Sequence, residues 1–265
     1  MIVGLERAGV RRGERWIFRN LSFSLQKGSC LAVLGPNGRG KTTLIKALAG
    51  LLALDEGARI APPAIGYVAQ HQPGDIPYRV VDVVVMGRAR ALSLFGSPGK
   101  ADYRIAEKML ERVGMSGFAE RMLDTLSGGE RQIVALARAM ATEAPVLILD
   151  EPASALDLAN QSVLLRTLRE VSAQKEHAIL FSTHQPQHVL AVANEAMLMF
   201  DAARIIHGEA SDVMTEDNLR NLYGVDIRRL TVTDSAGVPF EAIAPQFLAG
   251  RATSAIAGRP AESTD

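Results

Sequence analysis

Residues Gly35-Pro36-Asn37-Gly38-Arg39-Gly40-Lys41-Thr42 fit the pattern G-x-x-x-x-G-K-[ST], a loop whose backbone N–H groups wrap phosphate oxygens. Gly35, Gly38 and Gly40 allow torsions and a close approach that side chains would block. Lys41 places a positive charge on the β- and γ-phosphates, and the Thr42 hydroxyl is a ligand for Mg²⁺. Thr43 follows in the first turn of the helix expected from Lys41, whose N-terminal dipole favours the same anion. A hundred residues on, the apolar run Val146–Leu149 delivers Asp150 and Glu151 to the C-terminal end of an expected strand. Open α/β sheets bind their ligands at that edge. Successive side chains of a strand point to opposite sides, so the two carboxylates are expected to do different work. Asp150 would hold Mg²⁺ through water or the Thr42 hydroxyl; Glu151 would face the γ-phosphate as general base or water-positioner. Gln70, ending another expected strand, can reach Mg²⁺ or the attacking water. His184, beyond strand 178–182, can hydrogen-bond the γ-phosphate and hold the water of Glu151. His188, on the helix that follows, is expected to face solvent.

Leu126-Ser127-Gly128-Gly129-Glu130 is a second anion-binding shape, a Ser-Gly-Gly turn opening a helix. Two such loops opening helices from separate places in one compact domain cannot serve one nucleotide. A second copy resolves the conflict: Ser127 and the N–H groups after it would bind the γ-phosphate held by a partner. The expectation is a head-to-tail dimer with two sites.

These residues need a scaffold of alternating strands and helices. Leu21, Phe23 and Leu25 alternate along a strand within residues 1–28, and the turn Lys27-Gly28 leads into the wholly apolar run 30–34, a buried parallel strand. The phosphate loop follows, then a helix from Lys41 to Ala49 that Gly50 can end in a left-handed cap. Further strands are expected at 67–70, 146–149, 178–181 and 196–200, with helices at 130–141, around Leu164, Leu165, Leu168 and Val171, and near 186–193. Between them, residues 71–125 read as an inserted helical piece with Ile105, Met109 and Val113 on one face. This order implies an α/β parallel sheet. The small, polar stretch 251–265 is expected to be a disordered tail on a domain spanning 1–250.

Composition narrows the function. Lys plus Arg and Asp plus Glu both number 29, so no net field favours nucleic acid or anionic lipid. Cys30 is the single cysteine, which excludes an internal disulfide, and its apolar neighbours make it a buried hydrophobe. Glu6 interrupts the start where a signal peptide needs its apolar core, and no run of about 18 apolar residues occurs. A soluble intracellular chain is expected, reaching a membrane only through a partner.

Six motifs in order resemble the ATP-binding subunit of ABC transporters, over roughly residues 1–225: the phosphate loop 35–42, a glutamine loop at Gln70, the signature Leu126–Glu130, the acidic pair Asp150-Glu151, a D-loop Ser154-Ala-Leu-Asp157 and a switch histidine at Thr183-His184. The resemblance implies a P-loop NTPase (RecA-like) parallel-sheet core with an N-terminal antiparallel β subdomain and the helical insert. It implies ATP and Mg²⁺ as cofactors, with Pro36, Asn37, Arg39, Thr43, Gly128, Gly129 and Asp157 among the nucleotide contacts. It also implies a homodimer on a permease dimer at the cytoplasmic face of the inner membrane, with a substrate-binding protein completing the system. Two positions depart from the family. Arg12 stands where an aromatic usually stacks on adenine, so Arg12 or Trp16 takes that task. Arg39 replaces a small residue, and either adds charge near the phosphates or points to solvent. Tyr78–Arg88 resembles importers of metal chelates, which favours an iron–siderophore or haem cargo, with cobalamin in the same group. Thr183–Asn194 is closer to a molybdate or tungstate branch. ABC ATPases acting on ribosomes or DNA repair fit less well, because the chain has one domain, no heptad stretch and zero net charge; an assembly ATPase of the iron–sulfur type is a third, less favoured alternative.

Overall fold

The structure, a computed structural model, describes residues 2–70, 77–93 and 96–247. Residues 71–76 of the insert, Leu94-Phe95 and the 251–265 tail lie outside them. In chain order the elements are β1 (Val3–Arg12), β2 (Arg15–Leu25), β3 (Cys30–Leu34), α1 (Lys41–Ala49), β4 (Glu56–Ile60), β5 (Gly66–Val68), α2 (Val80–Val85), α3 (Lys100–Arg112), α4 (Gly128–Ala141), β6 (Val146–Leu149), α5 (Leu158–Ala173), β7 (Ala178–Thr183), α6 (Pro186–Val192), β8 (Glu195–Met199), β9 (Ile205–Glu209), α7 (Ala210–Val213), α8 (Glu216–Tyr223), β10 (Asp226–Thr233) and β11 (Pro239–Gln246).

A six-stranded sheet in the order β5-β6-β7-β3-β8-β9 forms the core. Its strands are parallel except β9, which returns antiparallel to β8. An antiparallel sheet β2-β1-β4 and the hairpin β10-β11 stand apart from it. The period of two along each parallel strand divides the interior into two layers. Cys30, Ala32, Leu34, Leu147, Leu149, Ile179 and Phe181 face α2 to α6. Leu31, Val33, Val146, Ile148, Ala178 and Leu180 face α1 and the antiparallel sheet. Both faces being covered, the strands read as unbroken apolar runs. Cys30 is fully buried in the first layer, and burial pushes its thiol up to about 12. The fold is thus a P-loop NTPase core with an antiparallel β subdomain and an inserted helical subdomain.

Several element ends differ from the sequence reading. Strand β5 stops at Val68, so Gln70 lies two residues past a strand rather than ending one. Helix α4 begins at Gly128 instead of 130, because Ser127 caps it: the Ser127 hydroxyl accepts from Glu130 N–H while Glu130 Oε2 accepts from Ser127 N–H. Strand β7 continues through Thr183, bringing His184 to its immediate end. On α5 the buried stripe is Leu164, Thr167, Leu168 and Val171, with Leu165 only half-buried.

Candidate active site

Strands β6, β7 and β3 are consecutive in the sheet, so their C-terminal ends bring Asp150, His184 and the phosphate loop together. The loop turns tightly: Gly40 has φ 95°, and a Cβ there would lie 2.4 Å from Ile17 Cγ2 on β2. Only glycine fits. Behind it, Lys41 Nζ donates to the carbonyls of Gly35 (2.7 Å) and Pro36 (3.2 Å). The same Nζ lies 2.9 Å from Glu151 Oε1, a contact of charge without hydrogen-bond alignment, with 5% and 6% of the two side chains exposed. Glu151 Oε2 is 2.8 Å from His184 Nδ1. Thr42 Oγ1 donates to Asp150 Oδ1 at 3.1 Å. Lys41, Thr42, Asp150, Glu151 and His184 therefore form one connected cluster.

The two acids do diverge, but not through strand alternation. Glu151 lies beyond β6 with φ 46°, a left-handed conformation that costs a non-glycine residue on the order of 1 kcal/mol. That turn swings its carboxylate toward Lys41 and His184. A residue the sequence reading passed over sits beneath both acids. Ser182, fully buried on β7, donates from Oγ to Asp150 Oδ1 (2.9 Å) and accepts the Glu151 N–H (2.8 Å).

His188 corrects the expectation of a solvent-facing side chain: it is buried. The Thr183 hydroxyl accepts the Gln185 N–H and lies 3.2 Å from His188 Nδ1. His188 Nε2 lies 3.2 Å from Gln161 Oε1, an acceptor, so Nε2 carries the proton and Nδ1 of the neutral ring accepts from the Thr183 hydroxyl, while the Gln161 amide donates onward to Leu156 O. This chain of bonds is satisfied by a neutral ring, and burial, with His184 nearby, holds its pKa below the usual histidine value despite Glu151. It ties the segment of His184 to the turn 154–157. From the other side the Tyr223 hydroxyl donates to His184 O at 2.8 Å, its own pKa raised by burial and by Glu151. Amphipathic periodicity marks Tyr223 only as a helix end, and nothing local marks Ser182. Gln132 on α4 donates to Ala69 O at 3.3 Å, next to Gln70.

Other expected site residues lie elsewhere. The turn Ser127-Gly128-Gly129 packs against α5 and the turn before it: a Cβ on Gly129 would lie 3.0 Å from Asn160 Nδ2 and 3.4 Å from Leu156 Cδ2. Asp157 caps α5, accepting the Asn160 N–H at 2.8 Å. Among the described residues, no hydrogen bond or ion pair joins Ser127, Gly128, Gly129 or Asp157 to the cluster around Lys41. Trp16 lies beside Arg19, whose guanidinium sits 4.5 Å over its ring. Its neighbour Ile17 is the residue that meets the phosphate loop. Arg39 is exposed near Asp201, whose carboxyl is held low first by the Ala203 and Arg204 N–H groups and further by Arg39.

Comparison with known proteins decides what this cluster belongs to. The ABC transporter family profile matches residues 18–154, across the phosphate loop, the signature turn and the acidic pair. The chain is an ABC transporter ATP-binding protein. The molybdate import ATP-binding protein MolC of Haemophilus influenzae is 38% identical over 212 residues, 80% of this chain and 83% of that protein. A Helicobacter pylori ATP-binding protein assigned to iron chelatin transport is 31% identical over 87% of this chain and 96% of its own length. A chain solved as a metal-chelate type ABC transporter in an inward-facing conformation superposes with a TM-score of 0.85 at 34% identity, covering 93% of this chain and 97% of that one. As an ABC ATPase the protein binds ATP with Mg²⁺ and hydrolyses it to power transport. The donor set suits the metal: the Asp150 carboxylate and the Thr42 hydroxyl are hard oxygens 3.1 Å apart. Mg²⁺ typically takes one or two carboxylates and completes its shell with phosphates and water.

Proposed function

We propose that the cluster at the ends of β3, β6 and β7 is the hydrolytic centre of an importer ATPase, with roles as follows. The loop Gly35, Pro36, Asn37, Gly38, Arg39, Gly40, Lys41, Thr42 and Thr43 holds the triphosphate, and Lys41 neutralises the β- and γ-phosphates. Thr42, Asp150 and Gln70 hold Mg²⁺, which when bound draws charge from the phosphate oxygens. Glu151 accepts a proton from the water that attacks the γ-phosphorus; the bond from that phosphorus to the β–γ bridging oxygen breaks, and ADP leaves. His184 steadies Glu151 and the γ-phosphate. The observation that carries this reading is the contact of Glu151 with both Lys41 and His184. Arg12 or Trp16 stacks on adenine, both on the strand pair that brings Ile17 against the phosphate loop. Ser127, Gly128, Gly129 and Asp157 act on a second copy's nucleotide, which explains their separation from this chain's own cluster.

Two copies would close on ATP and move a permease pair through the arm 71–125, at the cytoplasmic face of the membrane; a substrate-binding protein would deliver the cargo. Among the described residues no helix is long and apolar enough to cross a membrane, consistent with a peripheral subunit. For cargo, the 38% identity to a molybdate import protein favours molybdate or tungstate. The second reading is chelated iron, supported by the longer but weaker match to the iron chelatin protein and by the metal-chelate type structure. Uptake by cells lacking this chain tests both. Loss of ⁹⁹Mo-molybdate uptake, restored by wild type and not by Glu151→Gln, is expected; loss confined to ⁵⁵Fe–siderophore or haem would assign the second cargo.

A further inference from the structure

We propose that Ser182 is a positioning residue for ATP hydrolysis, its one hydroxyl setting the metal carboxylate and the base together. The inference rests on the assignment of Asp150 and Glu151 above. The Ser182 Oγ donates its only proton to Asp150 Oδ1 at 2.9 Å and receives the Glu151 N–H at 2.8 Å. Both bonds are buried, with no part of Ser182 exposed and Asp150 and Glu151 nearly closed off. Water therefore cannot replace the hydroxyl, and its removal leaves the Glu151 N–H and one bond of Asp150 unmet.

The geometry explains why a hydroxyl is wanted there rather than another apolar side chain. Ser182 pairs with Val33 of β3, next to the phosphate loop, and follows Phe181, which pairs with Leu149 of β6. It thus stands where β6 ends and its chain turns left-handed at Glu151 (φ 46°). The bond to the Glu151 N–H holds that turn, and with it the direction of the carboxylate toward His184 and Lys41. The bond to Asp150 Oδ1 converges with the one from Thr42 Oγ1 at 3.1 Å, so two hydroxyls orient a single carboxylate oxygen. A partner of a metal-binding carboxylate that makes no metal contact commonly changes metal affinity about 10-fold or more when removed. Ser182 acts wholly through Asp150 and Glu151 and touches neither nucleotide nor metal.

The test uses the full-length chain. For Ser182→Ala, kcat should fall about 10-fold with the KM for ATP changed less than about twofold. In a Glu151→Gln background, where turnover is blocked, adding Ser182→Ala should raise about 10-fold the Mg²⁺ concentration that half-saturates binding of a fluorescent ATP analogue. A merely structural hydroxyl would move the melting temperature alone. Wild-type kcat and an unchanged Mg²⁺ midpoint, whatever the melting temperature, would overturn the proposal. That failure is distinct from failure of the underlying assignment, which would show as near-normal turnover by Glu151→Gln itself. Should Ser182→Ala not fold, Ser182→Cys, of similar size but a weak donor, is judged by the same two quantities.

Discussion

Lys41 Nζ is held by two loop carbonyls and by Glu151, so under the proposed assignment phosphates entering the loop would take the lysine over and free a carboxylate for water. Nucleotide binding and arming of the proposed base are then one event at the residue scale. Lys41→Ala should abolish detectable ATP binding in equilibrium titration; unchanged affinity would show that the loop does not hold the triphosphate. Glu151→Gln should keep ATP binding and lower kcat by about 100-fold or more, the span expected for loss of a general base. Turnover near wild type would remove Glu151 from the chemistry. The amide also cannot pair with Lys41 as a carboxylate does, so ATP affinity of Glu151→Gln should equal or exceed that of wild type.

At the scale of elements, two short segments decide whether the site keeps its shape. The turn into α1 depends on Gly40, where φ is 95° and Ile17 Cγ2 leaves no room for a methyl. Gly40→Ala should lower stability by about 1 kcal/mol or more and weaken ATP binding, read by thermal unfolding and titration. The segment β7-α6 is fastened by the bonds from Gln185 through Thr183, His188 and Gln161 to Leu156, and by Tyr223. Because burial depresses the pKa of His188 in the folded state, its contribution is intact above the unfolded value of about 6.5 and is lost as pH falls through the folded one. The unfolded chain takes up a proton there that the folded chain refuses. Acidification from pH 7.5 to 5.5 should therefore lower the melting temperature of wild type more than that of His188→Gln; equal shifts would show that His188 does not titrate on unfolding.

At the scale of the whole molecule, the signature turn packs on α5, and among the described residues no hydrogen bond or ion pair joins it to the phosphate cluster. One chain is thus half of two sites under the proposed arrangement. Light scattering of Glu151→Gln should show a doubling of mass on adding ATP and Mg²⁺, and none with Lys41→Ala. A monomer under all nucleotide conditions would argue against closure without the permease. The hairpin β10-β11 joins this picture through α6, where Gln187 Nε2 donates to Ile243 O at 3.2 Å. The sequence reading does not predict it: Asp226–Thr233 carries Arg228-Arg229 and breaks the period of two, although Asp234-Ser-Ala-Gly237 is a turn sequence between the two paired runs.

Much of the protein was legible in local patterns, because each pattern has a local cause. Glycines at 35, 38 and 40 before Lys41 need no distant residue to specify a phosphate loop, and the apolar run 146–149 announces a strand buried on both faces. The order of motifs carried the family, and the zero net charge supplied no net field toward nucleic acid. What only the tertiary structure decided are meetings across the sheet. Ser182 lies 31 residues from Glu151, and Asp150 lies 108 residues from Thr42. They touch because β6, β7 and β3 are neighbours, an order no periodicity encodes. The same holds for His188, polar and at an apparent surface position by its helix alone, but enclosed once α5 packs beside α6. Periodicity reports which face of an element is apolar; it does not report which polar side chain a neighbouring element will cover and pair.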